Sequence, residues 1–122
     1  MTNSAALRIS AFLGALAICL GAFGAHALKS VLERNLTTAI WDKAVVYHLV
    51  HAVVLFVLAG RSPVRAGPWL AFLFGIVFFS GSLYLLALTN LPWLGAITPL
   101  GGIGFLVGWI WLLICPFAEP RN

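Results

Sequence analysis

Trp41-Asp42-Lys43-Ala44-Val45-Val46-Tyr47-His48-Leu49-Val50-His51-Ala52-Val53-Val54-Leu55-Phe56-Val57-Leu58-Ala59-Gly60 is the stretch that decides the fold. It is long and apolar enough to cross a bilayer, which takes about 20 such residues for a hydrocarbon core of about 30 Å. Yet it holds two histidines and a tyrosine within five residues. Hydrocarbon offers no hydrogen-bond partner, so these side chains must find theirs within protein.

The whole chain has the same character. Of its 122 residues, 62% are apolar and 8% charged, against roughly 25% charged in a soluble domain. We expect a single integral membrane domain over residues 1–122 with room for four spans. The net charge of +4 arises from seven Lys/Arg against three Asp/Glu, scattered without a basic run, which argues against nucleic-acid binding. Cys19 and Cys115 lie in apolar runs without ligand spacing, so they read as small buried hydrophobes.

Upstream, residues 7–28 read as span one. Arg8, the apolar run that follows and Ala25-His26-Ala27 imitate a secretory signal with an A-x-A site, but the run is long for one. Within it Ala17, Gly21 and Ala25 recur every four residues and predict a packing seam. A second, weaker stripe holds Ser10, Gly14, Ala22 and His26, interrupted by Ile18. Lys29 to Ile40 is too polar to cross. Its apolar residues recur near helical period, predicting a short amphipathic interfacial helix with a break around Asn35, Thr37 and Thr38. Trp41 then marks the headgroup level where span two, 41–60, enters.

Downstream, Arg61 to Pro68 reads as a turn, with Pro68 suited to a first helical turn. Span three, 69–88, is rich in phenylalanine until Ser80-Gly81-Ser82-Leu83-Tyr84. An uncharged turn around Trp93 leads to span four, 96–115, where Gly101-Gly102 and the Gly104/Gly108 spacing predict close helix contact. Trp109 and Trp111 suit the far interface. Glu119 to Asn122 form a short tail. The expectation is thus an all-α, four-helix transmembrane bundle with a short interfacial helix between spans one and two.

Four spans put Arg8, Arg61, Arg65 and Arg121 on one side, and Lys29, Arg34 and Lys43 on the other. This bias, with Glu33 and Asp42 on the second side, places both termini in the cytoplasm. The non-terminal polar groups of all four spans fall in the membrane half facing the 29–40 helix, leaving the other half almost purely apolar. That layer is the candidate functional cluster: His26, Tyr47, His48, His51, Ser80, Ser82, Tyr84 and Thr98. Tyr47, His48 and His51 share one helical face, which should point inward.

Two functions fit. In the first, the imidazoles bond hydroxyls or backbone carbonyls and pin the helices in register, which makes a structural or accessory membrane protein whose polar half docks a partner or a lipid headgroup. A homo-oligomer or a membrane-protein partner is compatible with this. In the second, His26, His48 and His51 form a metal, haem or proton-handling site, although no carboxylate or thiolate stands at their depth. Serine without a nucleophile motif and the lack of paired carboxylates argue against an enzyme. The expected state is without cofactor.

Gly21-Ala-Phe-Gly-Ala-His26-Ala-Leu-Lys29, Tyr47-His48-Leu-Val-His51-Ala, Phe79-Ser-Gly-Ser-Leu-Tyr84 and Ile97-Thr-Pro-Leu-Gly-Gly102 with Gly108-Trp109 together resemble the YgdD/YwdK family of small bacterial inner-membrane proteins. That group is classed as a domain of unknown function and has small eukaryotic transmembrane relatives. The resemblance runs from about Ser10 to Trp111. It implies a multi-pass bacterial inner-membrane protein whose first segment is retained as a span, with His26, His51, Ser80, Gly81, Ser82, Tyr84, Thr98 and Pro99 in recurring motifs. It brings no activity.

Overall fold

A computed structural model describes residues 1–118. Glu119 and Arg121, read above as tail charges, lie outside the described residues. All regular structure among the described residues is helical: α1 (Asn3–Ala25), α2 (Lys29–Asn35), α3 (Thr38–Ala59), α4 (Ala66–Gly75), a π-helical segment (Ile76–Ser80), α5 (Gly81–Thr89), a 3-10 turn (Pro92–Ala96) and α6 (Thr98–Ile114). The α4, π and α5 pieces run on as one helix, so four helices are long and apolar enough to cross a membrane. An exposed residue on them is one the chain itself does not cover.

Local chemistry sets the boundaries. The Thr2 hydroxyl caps α1 by accepting from the Ala5 N–H at 3.2 Å, satisfying one of the donors a helix start leaves free. α2 stops where Leu36 adopts a left-handed conformation (φ 57), so Ala39 and Ile40 belong to α3 and not to the short helix. α2 is more than an interfacial float. Its Leu32 is buried with Trp41 and Ala87, and Leu28 and Tyr84 pack beside them.

The long helices pack as two close pairs joined through the middle: α1 lies along α3, α6 lies along α4 and the π segment, and α3 bridges to the α4–α5 helix. The bulk of the core lies where they meet, with Ala6, Leu55, Leu58, Trp69, Phe72 and Phe105 in one cluster. The α4–α6 approach is made by glycine. A Cβ on Gly101 would lie 2.1 Å from the Phe79 amide nitrogen, one on Gly104 3.1 Å from both the Ala71 carbonyl oxygen and the Gly75 nitrogen, and one on Gly108 2.7 Å from the Phe72 ring. In return the Phe105 ring fills the space over Gly75.

The seam of α1 differs from the one expected. Its buried residues are Ala6, Ser10, Ala17 and Gly24; Gly21 faces Val45, while Ala25 is exposed. With 3.6 residues per turn, a strict spacing of four drifts about 40° per step. A face that stays against a neighbour therefore alternates steps of three and four, and here it draws Ser10 from one stripe and Ala17 and Gly21 from the other. Cys19 and Cys115 are free and exposed on the outer surface, not buried as the sequence suggested.

Candidate functional site

The residues expected to form one polar cluster are distributed into separate pairs, each tying one helix to another. His48, 2% exposed, stands on the inner face of α3, and its Nδ1 lies 2.9 Å from the Tyr84 hydroxyl of α5. Tyr84 in turn packs edge-on to Trp41, with centroids 4.8 Å apart. Ser80 closes the π segment and is buried completely, donating to the Ala44 carbonyl of α3 at 2.8 Å. The Ser82 and Thr98 hydroxyls meet at 2.6 Å, joining α5 to the start of α6.

His51 makes a different set of bonds. Its Nδ1 lies 2.8 Å from the Tyr47 carbonyl one turn earlier. A carbonyl can only accept, so Nδ1 carries the hydrogen. The Trp109 indole N–H donates to Nε2 at 3.1 Å. The partners thus assign a neutral Nδ1–H imidazole with both nitrogens used. Phe105 stacks on its ring at 3.8 Å and 14°. Tyr47 contributes that carbonyl and an exposed ring leaning on Phe79.

His26 does not join. It caps the end of α1 as an exposed residue, and among the described residues no three His, Cys, Asp or Glu side chains converge as metal ligands. One atom of the layer is left over: among the described residues, His48 Nε2 is buried and makes no hydrogen bond of normal geometry.

A family model described as "Protein of unknown function (DUF423)" matches residues 20–102. The chain belongs to this family. This DUF423 protein is 43% identical over 120 residues to the UPF0382 membrane protein SSP2132 of Staphylococcus saprophyticus, covering 91% of this chain and 98% of the relative. It is 45% identical over 117 residues to the UPF0382 membrane protein SERP0230 of Staphylococcus epidermidis, at 88% and 94% coverage. The UPF0382 membrane protein YwdK of Bacillus subtilis is 43% identical over 119 residues, at 88% and 95%. No solved structure matches. With four apolar helices of spanning length, the DUF423 protein is a multi-pass membrane protein.

Several of its polar ties escaped the sequence reading. Trp41 is buried and donates to the Leu20 carbonyl at 2.9 Å, with Gly24 leaving room for its indole; it latches α3 to α1. Trp109, taken for an interfacial residue, lies about 16 Å along α6 from Thr98 at 1.5 Å per residue, deep enough to meet His51. Thr37 and Asn35, read only as a helix break, bond the Ala87 carbonyl at 2.7 and 3.0 Å. They satisfy a last-turn acceptor of α5 that has no partner in its own helix. The half expected to be apolar also has a tie: the buried Trp69 indole donates to the Ser10 hydroxyl at 3.3 Å and the Leu55 carbonyl at 3.2 Å. A signal for some of these existed, since a tryptophan N–H inside a span needs an acceptor as much as a histidine does.

Proposed function

We propose that this protein, a single integral domain over residues 1–122, is a small structural or accessory protein of the bacterial cytoplasmic membrane with both termini in the cytoplasm. Its His48/Tyr84, His51/Trp109 and Ser82/Thr98 pairs set the helices in register, and its partners are the bilayer and a second membrane-embedded chain, either another copy or a different protein. The observation that carries this reading is the saturation of His51: both ring nitrogens are spent on groups of its own chain. Such a group holds a scaffold together and has no lone pair left for a metal. The placement of His26 in an exposed turn away from the paired histidines weighs the same way. The orientation rests on the excess of Arg8, Arg61, Arg65 and Arg121 on the terminal side over Lys29, Arg34 and Lys43 on the other.

Purification in mild detergent, with an absorption spectrum, elemental analysis and unfolding curves, tests it. The expected protein has neither Soret band nor stoichiometric metal, and His51→Ala lowers its stability. Stoichiometric metal or haem that disappears in His51→Ala or His48→Ala would overturn the proposal.

A further inference from the structure

At the end of the molecule opposite α2, the turn between α3 and α4 folds against the segment that follows α6. Arg61, Ser62, Pro63 and Arg65 face Pro116, Phe117 and Ala118 across a cavity of about 340 Å³. Two guanidinium groups share one aromatic ring there: the Arg61 Cζ lies 4.7 Å and the Arg65 Cζ 5.6 Å from the Phe117 centroid. Arg65 also donates to the Cys115 carbonyl, which spends one of the several N–H donors of its fork. Stacking and that single bond fix the planes of the two groups and leave most of their donors uncommitted to the described residues.

The surroundings favour an anion. Among the described residues this end carries Arg8, Arg61 and Arg65, and Glu33 and Asp42 lie at the other end; Glu119, next to Ala118 in sequence, is outside the described residues. The pocket is lined by the α3–α4 turn and the segment after α6, just beyond the ends of three of the four spanning helices. It therefore stands at the membrane surface, where the phosphates of lipid headgroups are the concentrated anions. Planar guanidinium forks bind phosphate bidentately and are preferred over ammonium groups at such sites.

We propose that the Arg61/Arg65 pocket is a binding site for the phosphate headgroup of an anionic membrane lipid. Ser62 lines the cavity and adds a hydroxyl suited to a phosphate oxygen. The site lies apart from the histidine pairs and does not depend on the structural role proposed for them.

The test is lipid retention and thermal stability of the full chain in nanodiscs of phosphatidylglycerol, of phosphatidylcholine, and in detergent with inorganic phosphate. Each arginine near an anionic surface brings a roughly fivefold preference. The wild type should thus retain phosphatidylglycerol over phosphatidylcholine by at least that factor and melt higher in it. Arg61→Gln, which removes a side chain that makes no hydrogen bond to the described residues, should lose about tenfold or more of the preference, the share of a charge-assisted bond to phosphate, and in phosphatidylcholine should lose only the small contribution of stacking on Phe117. Arg8→Gln, which removes the same charge on the same side outside the pocket, should lose no more than the roughly fivefold of surface attraction. Equal losses in the two variants would mean diffuse surface attraction and would overturn the site. Retention unaffected by Arg61→Gln, or equal stabilisation by inorganic phosphate in detergent, would overturn it as well.

Discussion

His51 illustrates how a membrane-embedded imidazole is made safe. The donor from Trp109 and the acceptor at Tyr47 fix a single tautomer, and Phe105 covers one ring face. Trp109→Phe keeps the aromatic bulk but strands Nε2, and should cost about 1 kcal/mol, toward the upper part of the range for polar ties between membrane helices. Thr98→Val should cost less, because Ser82 keeps the Phe79 carbonyl at 2.9 Å as a second partner. Unfolding in mixed SDS and mild detergent measures both; a Thr98→Val loss equal to or above that of Trp109→Phe would contradict the assignment. The histidines themselves were legible as residues in need of partners. Which partners they took was not, because Trp109 is 58 positions away and its ring looks, in sequence, like any interfacial tryptophan.

Among the elements, the α4–π–α5 helix against α6 is the most exacting junction. A Cβ at Gly101 meets the backbone of Phe78 and Phe79, with contacts of 2.6 and 2.1 Å, whereas one at Gly102 meets only a ring atom at 3.9 Å. Backbone cannot swing aside as a side chain can. Gly101→Ala should therefore cost roughly 3 kcal/mol or leave α6 undocked, and Gly102→Ala should stay within about 0.5 kcal/mol of wild type. Thermal unfolding in one detergent compares them directly. Paired glycines at 101–102 announced a close approach in the sequence. They did not say which glycine makes it, since adjacent residues on a helix differ by about 100° in direction and only the neighbour's position selects one. The small-residue stripe of α1 teaches the same: Gly24, where an added Cβ would lie 2.3 Å from the Trp41 indole nitrogen, belongs to the buried face in place of Ala25.

Over the whole molecule, polar ties stand at both ends and join consecutive and distant elements alike. The α2 end is held by Asn35 and Thr37 converging on one carbonyl, that of Ala87, with the Asn90 side chain returning a bond to the Asn35 carbonyl at 3.3 Å. Either donor alone keeps Ala87 satisfied. Thr37→Val should therefore cost below about 1 kcal/mol, Asn35→Ala somewhat more because its amide also donates to the Leu88 carbonyl at 3.2 Å, and the double variant more than their sum, since residues sharing one partner couple. A double-mutant cycle in detergent checks this, and strict additivity would show that the two bonds act independently.

Chain-local properties were settled by sequence alone: an all-helical membrane protein, four segments of spanning length, a short amphipathic helix after the first, and family membership carried by motifs from Gly21 to Trp109. Hydropathy and length act through the bilayer, which every span meets in the same way, so no neighbour need be known to predict them. The tertiary structure decided the rotation of each helix about its axis and the identity of the group opposite each polar side chain. Those depend on the relative position of two elements. The polar layer around Tyr47, His48 and His51 is accordingly a set of separate latches, with His26 outside it and Trp41, Trp69 and Trp109 within the chain's own hydrogen bonding.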